Sequence, residues 1–62
     1  FGAAIRNRRK QLGYTQGELA EMCDVGIMFV SQLENGKPTA QLDKAIRVAN
    51  MVGLDIALQE RR

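Results

Sequence analysis

Along the first fifty residues, apolar side chains recur at intervals of three and four, the spacing that gathers them on one face of an α-helix. Ala4, Ile5 and Leu12, with Arg9 between them, predict a first helix over about residues 3–12, and Gly13 supplies a left-handed stop. Thr15-Gln16-Gly17-Glu18 has the Thr-x-x-Glu form of a capping box, whose two side chains satisfy orphan amides reciprocally. A second helix is therefore predicted over 16–23, with Leu19, Ala20 and Cys23 inward. Cys23-Asp24-Val25-Gly26 makes a tight turn, and its apolar Val25 suits a seat between helices. A third helix over 27–34 turns Val30 and Leu33 inward and stops at Asn35-Gly36. Lys37-Pro38 is a linker, because proline cannot continue a helix. Thr39 then caps a fourth helix over 40–52, ended by Gly53. Leu42, Ala45, Ile46, Ala49 and Val52 form its expected core face. Val48 and Met51 widen the apolar stripe, which either meets a partner or lies under the final segment.

After Gly53 the period changes to two. Leu54, Ile56 and Leu58 alternate with Asp55, Ala57 and Gln59, which reads as a short β-strand over 54–59. A fifth helical turn is the other reading of so short a segment. No second strand is legible elsewhere, and a lone strand leaves its backbone donors and acceptors unpaired unless the same strand of a second copy joins it. The strand therefore predicts a homodimer. The fold class that follows is all-α: four helices in one domain spanning 1–62, with a short C-terminal strand paired across the dimer.

Composition narrows the functional classes. A chain of 62 residues leaves no room for a second lobe, and a domain of this size buries only about 60% of the surface its unfolded form exposes. The sequence has one cysteine and no histidine, so neither an internal disulfide nor a Cys/His zinc site can brace it, and oligomerisation remains as support. Cys23 reads as a small buried apolar residue, since no histidine is present to activate it. With no acid–base constellation and no phosphate-binding glycine loop, neither an enzyme nor a cofactor or metal binder is expected. The apolar runs are too short for a bilayer and no signal segment opens the chain, so a cytoplasmic protein without a membrane partner is expected. Charge adds a direction: Arg6, Arg8, Arg9 and Lys10 crowd the first twelve residues, whereas residues 13–34 carry four acids and no base. A basic N-terminal face offset by an acidic middle admits a polyanion as partner.

Two short helices joined by a glycine-containing turn, with a helix before and after, form a helix-turn-helix arrangement. The residues Thr15-Gln16-Gly17-Glu18-Leu19-Ala20, Val25 and Val30-Ser31-Gln32-Leu33-Glu34-Asn35-Gly36-Lys37 closely resemble the phage-repressor and Cro-like (XRE-type) helix-turn-helix family. In that family TQxELA opens the second helix and LENGK closes the third. The resemblance spans roughly residues 3–53 and implies a lambda-repressor-like domain that binds double-stranded DNA at a palindromic operator and regulates transcription as a repressor. Residues 29–59, FVSQLENGKPTAQLDKAIRVANMVGLDIALQ, are further similar to the HipB-like antitoxins of bacterial toxin–antitoxin systems. That similarity implies a dimeric autorepressor that also holds a HipA-like kinase toxin.

Roles follow residue by residue. Gln16, at the N-terminus of the second helix, offers a side-chain donor beside a positive dipole end and matches the family's phosphate-contacting glutamine. Arg6, Asn35 and Lys37 complete the expected phosphate contacts, with Arg8 and Lys10 as further cations on the first helix. If Val30 and Leu33 point inward, Ile27, Met28, Ser31 and Gln32 lie on or near the outer face of the third helix and face base edges. Gln32 matches a base-contacting position and can pair bidentately with an adenine edge. Ile27 and Met28 depart from the family's polar or basic residues: they either meet thymine methyl groups or form a protein-binding patch. Gly26 stands where the family often has Ser or Thr, so this helix is expected to be weakly capped. Arg9 and Glu34 match positions that hold an internal ion pair in the family, and Phe29 is either core or a lid over the second helix. Two other functions stay open: a protein-interaction module on a helix-turn-helix scaffold, and a stand-alone transcription factor without a toxin.

Overall fold

The computed structural model describes residues 1–54. Four helices follow in chain order: α1 (Gly2–Leu12), α2 (Gln16–Cys23), α3 (Ile27–Glu34) and α4 (Leu42–Met51). α2 packs on both α3 and α4, and α1 packs on α3. Ile5, Leu19, Ala20, Cys23, Val30, Leu33, Ala45, Val48, Ala49 and Val52 fill the single core, with Val25, Phe29 and Leu54 half-buried against it. Among the described residues no helix is long and apolar enough to cross a membrane.

Local chemistry sets the boundaries. Gly13 ends α1 in the left-handed region at φ 82°, and the Tyr14 amide donates back to the Arg9 carbonyl at 3.1 Å, closing the last turn. At the start of α2, Thr15 Oγ1 accepts from the Glu18 amide at 3.0 Å and Glu18 Oε1 accepts from the Thr15 amide at 2.8 Å, so the capping box forms in full. α2 stops at Asp24, which adopts a left-handed φ of 58° without being glycine. Aspartate tolerates that conformation better than most residues, and it lets the Val25 amide reach the Ala20 carbonyl at 3.0 Å. Burial pushes the Cys23 thiol above its ordinary range, with nearby Arg47 opposing, which suits a packing role.

Three expectations need correction. The fourth helix begins at Leu42, not at residue 40, because Thr39 Oγ1 accepts from the Gln41 amide at 3.0 Å. That local turn competes with helix formation, and Gln41 becomes an N-cap without a side-chain bond. Its core face is also rotated: Val48 is fully buried, whereas Leu42 and Met51 are exposed and Ile46 is only half-buried. In α1 the buried positions are Gly2, Ile5 and Arg9, while Ala4 and Leu12 face outward.

At the other end, the Leu54 amide donates to the Ala49 carbonyl at 2.9 Å, so this residue closes α4 instead of opening a strand. Ile56 and Leu58, the rest of the expected dimer strand, lie outside the described residues.

Gly2 holds α1 against the end of α3. A Cβ there would stand 2.3 Å from the Leu33 carbonyl oxygen and 2.7 Å from that of Glu34. Only glycine permits this backbone approach. Arginines complete the frame by bonding carbonyls of distant helix ends: Arg8 Nε donates to Val52 O at 3.0 Å, and Arg47 Nη1 donates to Cys23 O at 3.0 Å. Each satisfies a carbonyl that a helix terminus leaves without an intrahelical partner.

Candidate nucleic-acid interface

The site is organised around one buried carboxylate. Glu34 closes α3 with its side chain fully shielded, and Arg9 reaches it from α1 as a two-pronged fork. Arg9 Nε donates to Oε2 at 2.7 Å and Nη2 donates to Oε1 at 3.0 Å, while Nη1 donates to the Tyr14 carbonyl at 2.9 Å. From the first position of α2, Gln16 Nε2 donates to Oε1 at 3.0 Å. Arg6 lies 3.8 Å from the same oxygen with its side chain about half exposed, and its Nη2 donates to Asn35 Oδ1 at 3.3 Å. Every buried side-chain nitrogen and oxygen among the described residues has a partner.

Electrostatics follows from this geometry. Burial alone would push the Glu34 carboxyl up. The hydrogen bonds from Arg9 and Gln16, with the attraction of Arg9 and Arg6, outweigh it and hold the group below its ordinary value of 4.5. The Arg9 guanidinium is correspondingly raised, first by its hydrogen bonds to Glu34. Arg9 and Glu34 are thus a shielded pair. Arg6, Gln16 and Asn35 surround that pair as one connected set of donors and acceptors drawn from three elements.

α3 presents a different surface at its other end. Gly26 gives no side-chain cap, and the first two residues of the helix, Ile27 and Met28, are 55% and 66% exposed. Ile27 is oriented by α2, since its Cδ1 lies 3.6 Å from the point a Cβ would occupy on Gly17. Gly17 adjoins Gln16, so the apolar end of α3 and the Glu34 cluster belong to one continuous surface. Farther along α3, Ser31 is half-buried and Gln32 exposed. Gln32 also borders a groove of about 120 Å³ with Phe29, Lys37 and Pro38. Phe29 therefore packs on the core with one edge and lines that groove with the other. Lys37 is exposed just after α3.

Sequence reasoning placed Arg8 among the free cations; the structure commits it to Val52 O and to Gln11 Oε1, both at 3.0 Å. It missed Gly2 and Arg47, whose partners lie far along the chain. It also gave Gln16 only an outward role, whereas one of its amide hydrogens is spent inward on Glu34.

A right-sized turn between two eight-residue helices, with a helix on either side, is the arrangement a family model described as helix-turn-helix matches over residues 5–59. The chain belongs to the helix-turn-helix family. Two relatives sharpen the likeness of this helix-turn-helix chain. It is 44% identical over 56 residues to the uncharacterized HTH-type transcriptional regulator y4mF of Sinorhizobium fredii, covering 90% of this chain and 74% of that one. It is 43% identical over 49 residues to an uncharacterized HTH-type transcriptional regulator of Methanothermobacter thermautotrophicus, covering 79% and 71%. No solved structure matches the chain significantly.

Proposed function

We propose that this helix-turn-helix chain is a sequence-specific DNA-binding transcriptional regulator, without catalytic activity of its own. The observation that carries the reading is the exposed first half of α3, which lies beside the connected cluster of Arg6, Gln16 and Asn35. The first half of α3 enters the major groove, with Ile27, Met28, Ser31 and Gln32 toward base edges. Arg6, Gln16, Asn35 and Lys37 meet the phosphates on either side. The printed names of both relatives support regulation of transcription.

The finer reading is a cytoplasmic, dimeric autorepressor acting as a HipB-like antitoxin with a HipA-like kinase toxin as partner. It is supported by the similarity of residues 29–59 to that branch. Two copies of one chain match a two-fold operator with half-sites about 34 Å apart. A second reading, a protein-interaction module, draws on the exposed Ile27–Met28 pair.

The test is binding of the purified protein to DNA from upstream of its own gene, against random DNA, at two salt concentrations with stoichiometry recorded. Preferential binding by two copies that weakens steeply with salt is expected, because neutralised phosphates release counterions. Equal affinity for both DNAs at low salt would favour the protein-interaction module.

A further inference from the structure

We infer that the first turn of α3 recognises the 5-methyl groups of thymines in the major groove, so that operator choice by this chain rests on methyl contacts as well as hydrogen bonds. The inference rests on the DNA-binding reading above and specifies what that site reads.

The argument begins with what the turn lacks. Gly26, Ile27 and Met28 bring no side-chain donor or acceptor to the end of the helix that enters the groove first. Of the groups a base pair presents there, the donors and acceptors need polar partners; the thymine methyl is the one that an apolar side chain can recognise. The turn is also held in place. Gly17 leaves room for Ile27 to lie against the start of α2, with Cδ1 at 3.6 Å from the Cβ position, which fixes the direction of an otherwise exposed side chain.

The surroundings choose DNA over a protein partner. The apolar pair is joined through Gly17 and Gln16 to the half-exposed Arg6 and to Asn35, so cationic and amide donors adjoin it. A base edge brings its own phosphates within reach of such donors, and an apolar protein surface does not. Ser31 and Gln32, farther along α3, supply the polar contacts that methyl recognition leaves out.

The experiment uses the full chain and a duplex selected by it from a random pool. Thymines of that duplex are replaced one at a time by deoxyuridine, which removes the methyl and leaves every hydrogen-bonding group. At the positions facing Ile27 and Met28, affinity should fall about fourfold, the factor for one methyl-sized apolar group left unburied. The salt dependence should be unchanged, because no phosphate contact is altered. Ile27→Ala and Met28→Ala should each abolish the deoxyuridine penalty at its own position. A selected duplex that tolerates deoxyuridine at every position overturns methyl recognition while leaving DNA binding intact. Failure to select any duplex overturns both readings and points to a protein partner.

Discussion

At its C-terminal end α3 buries Leu33 and Glu34 and ties the carboxylate to side chains from two other helices. At its N-terminal end the same eight-residue helix starts from an uncapped glycine and exposes its first two side chains by more than half. The contrast shows how a small domain divides two demands. Orientation is fixed where charge is buried and every polar atom is paired, and contact with a partner is left to the end that carries little of the fold. A desolvated ion pair gains little over an apolar one in net stability, but breaking it is costly. Such a pair fixes the helix in place.

The largest effect should come from breaking the anchored end. Glu34→Ala strands the Arg9 guanidinium and frees Gln16, and should cost about 3–5 kcal/mol of stability in chemical denaturation. Acid tests the same group with no mutation. The folded pKa of Glu34 lies below its ordinary value of 4.5, so its contribution is complete above that value and is lost as pH falls through the lower, folded one. The wild-type protein should lose stability progressively below pH 4.5, and a Glu34→Gln variant should lose less over that range. Gly2→Ala comes next: its Cβ meets backbone oxygens of Leu33 and Glu34, so α1 must shift, at about 1–3 kcal/mol by thermal melting.

How far these features were legible depends on the range over which each is determined. The limits of α2 and α3 were readable from neighbouring residues, since the Thr15–Glu18 box, the turn at Asp24 and the stop after Glu34 are all local. The start of α4 was misread because Thr39 had two local uses and chose the turn. Its buried face was misread because seven apolar positions permit more than one stripe, and only packing against α2 selects Val48 over Leu42. Arg8 and Arg47 were opaque for a different reason. Their carbonyl partners stand 44 and 24 residues away, and charge alone does not reveal which helix end an arginine will face. In the candidate site, the outward positions of Ile27, Met28 and Gln32 followed from the period once Val30 and Leu33 were inward. The inward bond of Gln16 did not.

Smaller changes sharpen the contrast between capped and uncapped ends. Thr15→Ala removes half of the box at α2 and should cost about 1 kcal/mol, whereas Gly26→Ser, which supplies α3 with the missing acceptor, should gain a few tenths. Thermal melting of both variants checks the pair. Smallest of all, Ile27→Ala and Met28→Ala should leave stability within about 0.5 kcal/mol, as expected for exposed side chains.

The most direct test of the division along α3 is the binding of the Ile27→Ala/Met28→Ala double variant to a selected duplex and to random DNA. The account expects the preference for the selected duplex to collapse while affinity for random DNA and its salt dependence persist. A double variant that folds and keeps the full preference would contradict it.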